Sequence, residues 1–222
     1  MVTTTEGVFF QRIYTWMCIA VAVSALTGYL LVQSDSWLEF LFYNKYAWIG
    51  IVIVQFGIVL AIGYLCEKVS AAAVKFLFLL FAVSIGATIS VVLIVYPTPI
   101  INRAFFCAAG VYGAMALYGV MTKKSLQAWG TFLYMGLCGL LIAMIVNLIF
   151  GGRMLDFIIC VVGVVIFAGL TAYDHQKLRV IYAGGFQDAE EESKAITLGA
   201  LELYLDFVNI FLFLVRLFGA DD

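Results

Sequence analysis

The chain has 222 residues, of which 65% are hydrophobic and only 12% are charged. A soluble domain is nearer half apolar and a quarter charged, so the excess of apolar side chains has to face lipid. The 12 basic and 14 acidic residues leave a formal charge of −2 without a long basic tract, which argues against nucleic acid as a partner. Composition therefore predicts an all-α integral membrane protein whose first partner is the lipid bilayer.

Long stretches without ionisable side chains predict the membrane spans. Six such stretches approach or exceed the roughly 20 residues needed to cross about 30 Å of hydrocarbon. The strongest break between them is Tyr96-Pro97-Thr98-Pro99, because proline ends a helix. A seventh span carries three charged side chains, but a surface-lying amphipathic helix would show a broad face rich in Lys and Arg. The predicted spans of a single transmembrane domain, 1–222, are 13–33, 46–66, 76–96, 103–122, 129–150, 156–180 and 197–218.

Lysine and arginine in the connections predict the orientation, since cytoplasmic loops carry the excess of these residues. A cytoplasmic N-terminus places more of them inside than outside, and seven spans then place the C-terminus outside. The short tails favour a bacterial plasma membrane. The inner residues are Arg12, Lys68, Lys75, Lys123, Lys124, Lys177, Arg179 and Lys194, and the outer ones are Lys45, Arg103, Arg153 and Arg216.

The connection 175–197 is the one long connection predicted between spans. It contains Gly184-Gly185 and an acidic run, so we expect a solvated linker. The alternative is a vestibule that attracts cations, since a surface of one charge raises the local concentration of counter-ions. The acidic run comprises Asp188, Glu190, Glu191 and Glu192.

Asp174 and Asp206 are the candidate residues for chemistry. Insertion scales give a cost of roughly 2.5–3.5 kcal/mol for Asp at the centre of a spanning helix, so such residues usually face the bundle interior or a partner. Antiparallel helices six and seven bring both carboxyls into the same half of the membrane if helix six continues to about residue 182. Two close carboxyls cannot both ionise easily and share a proton. Such a pair can act as a pH-dependent latch, as metal ligands for Ca²⁺, or as a static polar clamp.

One polar face of the last helix supports this hypothesis. Glu202, Asp206 and Asn209 recur at spacings of four and three residues and therefore share a face, which predicts an interior position for the helix. Glu202 and Asn209 are candidate supporting or cation-binding residues, as is Gln55 within the second predicted span. His175 is the only histidine, which argues against a zinc or copper site, and we expect no cofactor.

The segment around Asp206 reads Thr197-Leu198-Gly199-Ala200-Leu201-Glu202-Leu203-Tyr204-Leu205-Asp206-Phe207-Val208-Asn209-Ile210-Phe211. It resembles the last-helix signature of the Bax inhibitor-1 family, also called the transmembrane Bax inhibitor motif proteins. Ala116-Leu117-Tyr118-Gly119 and Tyr173-Asp174-His175-Gln176 are similar to further family motifs. The resemblance implies seven helices with the C-terminal one central. It also implies a pH-sensitive Ca²⁺ leak that is gated by an aspartate pair corresponding to Asp174 and Asp206.

One departure from the family concerns closure of the site. In the family a basic residue of the second helix can latch onto the aspartate pair. Residues 46–66 contain no Lys or Arg, and Gln55 is their only strongly polar side chain deep in the span. The interpretation that follows is closure by the two acids sharing a proton.

Three other functions remain open from the sequence. An intramembrane aspartyl protease would need Gly-x-Gly-Asp at Asp206 and a Pro-Ala-Leu motif, which the chain lacks, so we expect no enzyme. A non-transporting regulator could bind membrane-protein partners through small residues, although internal packing explains these equally well. A proton- or sodium-coupled exchanger would need a substrate path, and no interrupted helix pair indicates one. The small residues are Ala109, Gly110, Gly113 and Ala114.

Overall fold

A computed structural model describes residues 5–44 and 46–220, and every regular element in this part of the chain is an α-helix. Lys45, one of the residues used to predict orientation, lies outside the described residues. The helices are α1 (Glu6–Val32), α2 (Asp35–Tyr43), α3 (Ala47–Leu65), α4 (Ala71–Val95), α5 (Thr98–Met121), α6 (Gln127–Phe150), α7 (Arg153–Gly184) and α8 (Ala189–Gly219).

Six of these helices are long and apolar enough to cross a membrane, namely α1, α4, α5, α6, α7 and α8. The apolar part of α3, Ile49–Leu65, is shorter. The prediction of an all-α membrane protein is confirmed, whereas the count of seven spans is not. The short helix α2 was not predicted, because its nine residues include Asp35 and Glu39 and lie between two uncharged runs, where the sequence pattern assigns a connection.

The prediction of a long solvated linker over 175–197 is wrong. Helix α7 continues to Gly184 and α8 begins at Ala189, so the connection has only four residues. Gly185 has a φ of +75°, a left-handed conformation that glycine adopts without steric cost. Charged residues do not mark the helix ends here, because a helix can extend beyond the hydrocarbon and carry charges in its outer turns.

The proline break is confirmed, and caps explain other boundaries. Helix α4 ends at Val95 and α5 begins at Thr98, with Pro99 in its first turn, where a missing N–H costs little. Three helices begin after a hydroxyl side chain that accepts a backbone N–H, as expected for N-caps. These caps are Thr5 for α1, Ser34 for α2 and Ser70 for α4.

The first of two compact units comprises the chain up to Pro97 together with Gly184–Leu201. Helix α1 packs against α4 at two glycines. A Cβ built on Gly28 would lie 2.8 Å from Ile89 Cγ2, and one on Gly86 would lie 2.5 Å from Thr27 Cβ. Small residues thus allow the two backbones to approach closely, as is common between membrane helices.

The acidic run of the α7–α8 connection has structural partners within this unit. Asp188 accepts the backbone N–H of Glu191 at 2.8 Å and caps α8. Glu190 accepts the N–H of Ala71, in the first turn of α4, at 3.3 Å. Glu192 is 2% exposed, and its carboxylate lies 3.7 Å from the Arg12 guanidinium of α1. The run is therefore part of α8 and its N-cap and not a linker.

The second unit comprises Thr98–Ala183 and Glu202 onwards. Helix α5 approaches α7 at Gly119, where a Cβ would lie 2.4 Å from the carbonyl oxygen of Ala172. Helix α6 approaches α7 at Gly130, where a Cβ would lie 2.3 Å from the Tyr173 ring. Helix α7 is thereby packed against α5 at Ala172 and against α6 at Tyr173, immediately before Asp174.

Helix α8 is the most buried of the six candidate spans. Within its most apolar stretch 72% of the residues are buried, compared with 11–39% in the other five. This burial supports the prediction that little of the last helix faces lipid.

Candidate functional site

Asp174 and Asp206 lie together inside the second unit. Asp174 is in the C-terminal half of α7, which continues as a helix because no proline or glycine interrupts residues 170–183. Asp206 is in α8. Their exposed fractions are 4% and 3%, so the protein removes both carboxyls almost completely from solvent.

The two carboxyls lie within hydrogen-bonding range of each other. Ionised carboxylates have only acceptors, so a hydrogen bond between two of them requires a proton on one. The remaining oxygens, Asp174 Oδ1 and Asp206 Oδ2, are buried and have no hydrogen-bond partner. Buried polar atoms without partners are uncommon in proteins and need a functional or structural reason.

Thr171, one turn before Asp174, connects the pair to the α7 backbone. Its hydroxyl lies within hydrogen-bonding range of Asp206 and of the Phe167 carbonyl, the latter at 2.8 Å. The Thr171 carbonyl lies 2.6 Å from His175 Nδ1. Because a carbonyl only accepts, His175 Nδ1 carries the proton of that hydrogen bond. The His175 ring is fully buried and meets the Tyr112 ring of α5 edge to face.

An ion pair stands next to the two aspartates. Lys177 Nζ lies 2.6 Å from Glu202 Oε1, and the two side chains are each 33% exposed. Glu202 was predicted to support the site, but Lys177 was not. The available signal was the spacing Asp174-x-x-Lys177, which places both side chains on one face of the helix. Only the register between α7 and α8 reveals the partner.

Gln176 and Arg179 fasten the connection between α5 and α6 to α7. Gln176 Nε2 donates to the Lys124 carbonyl at 2.9 Å, and Gln176 Oε1 accepts the N–H of Leu126 at 2.6 Å. Arg179 donates to the Val120 carbonyl at the end of α5 at 2.7 Å. These bonds satisfy backbone groups that helix ends leave without intrahelical partners. The glutamine of the Tyr173–Gln176 motif is thus used structurally.

The other predicted polar residues have local partners. Asn209 Nδ2 donates to the Leu205 carbonyl of its own helix at 2.8 Å. Gln55 belongs to the first unit, where its Nε2 donates to the Ser84 carbonyl at 2.9 Å and to Thr88 Oγ1 at 2.8 Å, both in α4. One amide N–H of Asn209 and both of Gln55 are therefore engaged.

A second ionic cluster lies near the other end of the α7–α8 pair. Asp156, in the first turn of α7, pairs with Arg216 in the last turn of α8 and accepts the Asn147 amide at 3.1 Å. Together with the Lys177–Glu202 pair, this contact shows that α7 and the second half of α8 run antiparallel.

The carboxyl oxygens of Asp174 and Asp206 are the ligand type that Ca²⁺ prefers, but two residues are fewer than its usual six to eight ligands. Among residues 5–44 and 46–220, no cluster of three or more His, Cys, Asp or Glu side chains has a geometry suited to a metal. The arrangement suits a transient encounter with a cation better than tight storage.

Comparison with known proteins gives the family. A family model described as inhibitor of apoptosis-promoting Bax1 matches residues 6–222. The inner membrane protein YbhL of Escherichia coli K12 is 37% identical over 214 residues, covering 95% of this chain and 91% of the relative. A membrane protein of Streptococcus pyogenes serotype M3 is 31% identical over 217 residues, covering 96% and 93% respectively. The resemblance in the sequence motifs is confirmed, and the chain belongs to the Bax inhibitor-1 family of integral membrane proteins.

Proposed function

We propose that this protein is a pH-sensitive calcium leak, in which Asp174 and Asp206 share a proton and gate the passage of Ca²⁺. It acts without a cofactor and is not an enzyme. The proposal also places it in a bacterial plasma membrane with the N-terminus in the cytoplasm. The Escherichia coli relative is named as an inner membrane protein, which supports this location.

The approach of the two buried carboxyls to within hydrogen-bonding range of each other is the observation that carries the proposal. With a proton between them the carboxyls attract each other. Loss of that proton places two negative charges side by side, which favours separation of the helices or entry of a counter-ion. Proton concentration and cation concentration therefore act on the same contact.

Calcium is the favoured cation because of the chemistry of the ligands. Hard carboxylate oxygens bind Ca²⁺ in flexible geometry, and Ca²⁺ exchanges its water more readily than Mg²⁺, which keeps several waters. The buried oxygens Asp174 Oδ1 and Asp206 Oδ2 have no protein partner to displace. A site with few ligands releases its ion easily, as a leak requires.

The test is Ca²⁺ flux into liposomes that contain the purified protein, measured from pH 5 to pH 8. Wild type is expected to show a pH-dependent flux. Asp206→Asn is expected to remove most of that dependence, because an amide donates a hydrogen bond to Asp174 at every pH and so retains the contact without a titrating proton. Asp174→Asn is expected to behave in the same way.

Asp35→Asn is the matched control, since Asp35 is an exposed aspartate in the first turn of α2. It should retain the pH response of wild type. An unchanged pH response in Asp206→Asn would contradict the gating proposal. A flux that requires an imposed proton gradient would instead identify the protein as an exchanger.

A second candidate is a non-transporting regulator that binds another membrane protein. The small residues of α5 support it, because Ala109, Gly110 and Ala114 are exposed and a Cβ at Gly110 or Gly113 would meet nothing within 4 Å. Internal packing therefore does not account for this face. Absence of any Ca²⁺ flux in liposomes would favour the regulator over the leak.

A further inference from the structure

The Lys177–Glu202 ion pair lies one helical turn beyond the aspartate pair on both helices. Lys177 follows Asp174 by three residues in α7, and Glu202 precedes Asp206 by four in α8. Because these parts of the helices run antiparallel, both offsets point in the same direction. The 2.6 Å contact between Lys177 and Glu202 thus lies one turn from the two carboxyls, toward the α7–α8 connection.

Exposure changes sharply across that single turn. The side chains of Lys177 and Glu202 are each 33% exposed, whereas Asp174 and Asp206 are 4% and 3% exposed. The ion pair is therefore partly exposed at the protein surface and the acids are not. A cation that approaches the acids from this side meets the ammonium group of Lys177 first.

The charged and titratable groups around this point come from three helices. Lys177 provides a positive charge close to three acids and interacts electrostatically with each of them. The three acids are Glu202, Asp174 and Asp206. The neighbouring groups are Asp174, His175 and Tyr173 of α7, Glu202 and Asp206 of α8, and Tyr134 of α6, whose ring meets that of Tyr173 edge to face.

We propose that Lys177, held in place by Glu202, determines the cation specificity of the aspartate site by repelling divalent cations from it. The proposal rests on the calcium-leak function above. The repulsion between the ammonium group and an approaching ion is proportional to the charge of that ion, so it weakens the binding of Ca²⁺ more than that of K⁺. The site thereby binds Ca²⁺ weakly enough to release it.

Glu202 has a defined part in this arrangement. Without it, the Lys177 side chain could reach Asp174 on its own helix, since residues three apart are neighbours on a helix surface. The ammonium would then occupy the acids as a tethered competitor. Glu202 holds the charge at a distance from which it weakens cation binding without blocking it.

The test measures cation binding to the full-length protein in detergent at one fixed pH. Ca²⁺ and K⁺ are titrated against bound Tb³⁺, whose luminescence is sensitised by nearby tyrosines such as Tyr134 and Tyr173. Lys177→Met is expected to raise the affinity for Ca²⁺ at least about tenfold and that for K⁺ by less. Lys177→Arg keeps the positive charge and should bind Ca²⁺ and K⁺ as wild type does.

Lys194→Met is the matched control, because Lys194 also pairs with a glutamate, Glu190, at 3.6 Å. It should bind Ca²⁺ as wild type does. Equal Ca²⁺ affinities in Lys177→Met and Lys194→Met would overturn the proposal. It would also be overturned by an equal gain for Ca²⁺ and K⁺, or by no binding of Ca²⁺ to any variant.

The flux experiment separates this proposal from the function on which it rests. If wild type conducts Ca²⁺ and Asp206→Asn alters its pH response, but Lys177→Met binds Ca²⁺ no more tightly, then only the role of Lys177 fails. If Lys177→Met binds Ca²⁺ more tightly but wild-type liposomes conduct none, then the leak fails and the role of Lys177 in cation binding stands.

Discussion

The Thr171 hydroxyl has one proton and two acceptors within reach, the Phe167 carbonyl and the Asp206 carboxyl. When the hydroxyl donates its proton to the Phe167 carbonyl, its oxygen can only accept a hydrogen bond, so Asp206 has to be the donor in the contact with Thr171. The aspartate pair then needs two protons, one for the contact with Thr171 and one for the contact between Asp174 and Asp206. When the hydroxyl turns to Asp206, one shared proton is enough. The orientation of this hydroxyl therefore follows the number of protons on the pair.

Gly119 is a residue near the site at which an added side chain would meet the backbone of a neighbouring helix. A Cβ there would lie 2.4 Å from the Ala172 carbonyl oxygen, two residues before Asp174. Gly119→Ala should therefore push α5 from α7 and destabilise the protein by about 1–3 kcal/mol. The measurement is thermal unfolding in detergent, together with the pH response of Ca²⁺ flux.

Gly110→Ala is the control for this prediction, since it lies in the same helix and its added Cβ would meet nothing within 4 Å. It should be neutral, or stabilising by up to about 1 kcal/mol because alanine favours the helix. Equal melting temperatures for the two variants would show that the close approach at Gly119 is not required.

The start of α8 shows how the elements are fastened to each other. Asp188 caps α8, Glu190 accepts an N–H from the first turn of α4, and buried Glu192 faces Arg12 of α1. Carboxylates at the N-terminus of a helix also interact favourably with its dipole. A segment of only five residues thus caps α8 and ties it to two other helices of the first unit.

Asp188→Ala is expected to remove the N-cap of α8 and cost about 0.5–2 kcal/mol. Amide hydrogen exchange of the first turn of α8 should accelerate, and the melting temperature should fall. Asp188→Ser retains a side-chain acceptor and should remain close to wild type. If Ala and Ser at this position gave the same exchange rates, the cap would not stabilise the helix.

The number of spans determines whether the N-terminus and the C-terminus lie on the same side of the membrane. Among the described residues six helices qualify as spans, and α3 does not because its apolar part, Ile49–Leu65, is shorter. A reporter fused to the C-terminus should be active outside the cytoplasm if α3 crosses the membrane and the N-terminus is inside. A C-terminal reporter on the cytoplasmic side, with the N-terminus also cytoplasmic, would mean an even number of spans.

Much of the architecture follows from apolar runs alone, because lipid accepts little else over the length of a span. The boundaries do not follow: α7 and α8 extend into the charged segment 175–197, where Asp188 and its neighbours cap or pair. The two aspartates could be predicted from their cost in a membrane and from a family-like motif. Lys177 could not, because a contact between helices depends on their register, which no spacing within one helix reveals.

The four-residue connection between α7 and α8 has a consequence for biogenesis. Two long helices with so short a link leave the ribosome in immediate succession and can enter the membrane as a hairpin. Each charged side chain would cost roughly 2.5–3.5 kcal/mol if it entered alone near the middle of a span. The hairpin instead delivers Lys177 with Glu202 and Asp174 with Asp206, so the chain supplies each costly group with its partner during insertion.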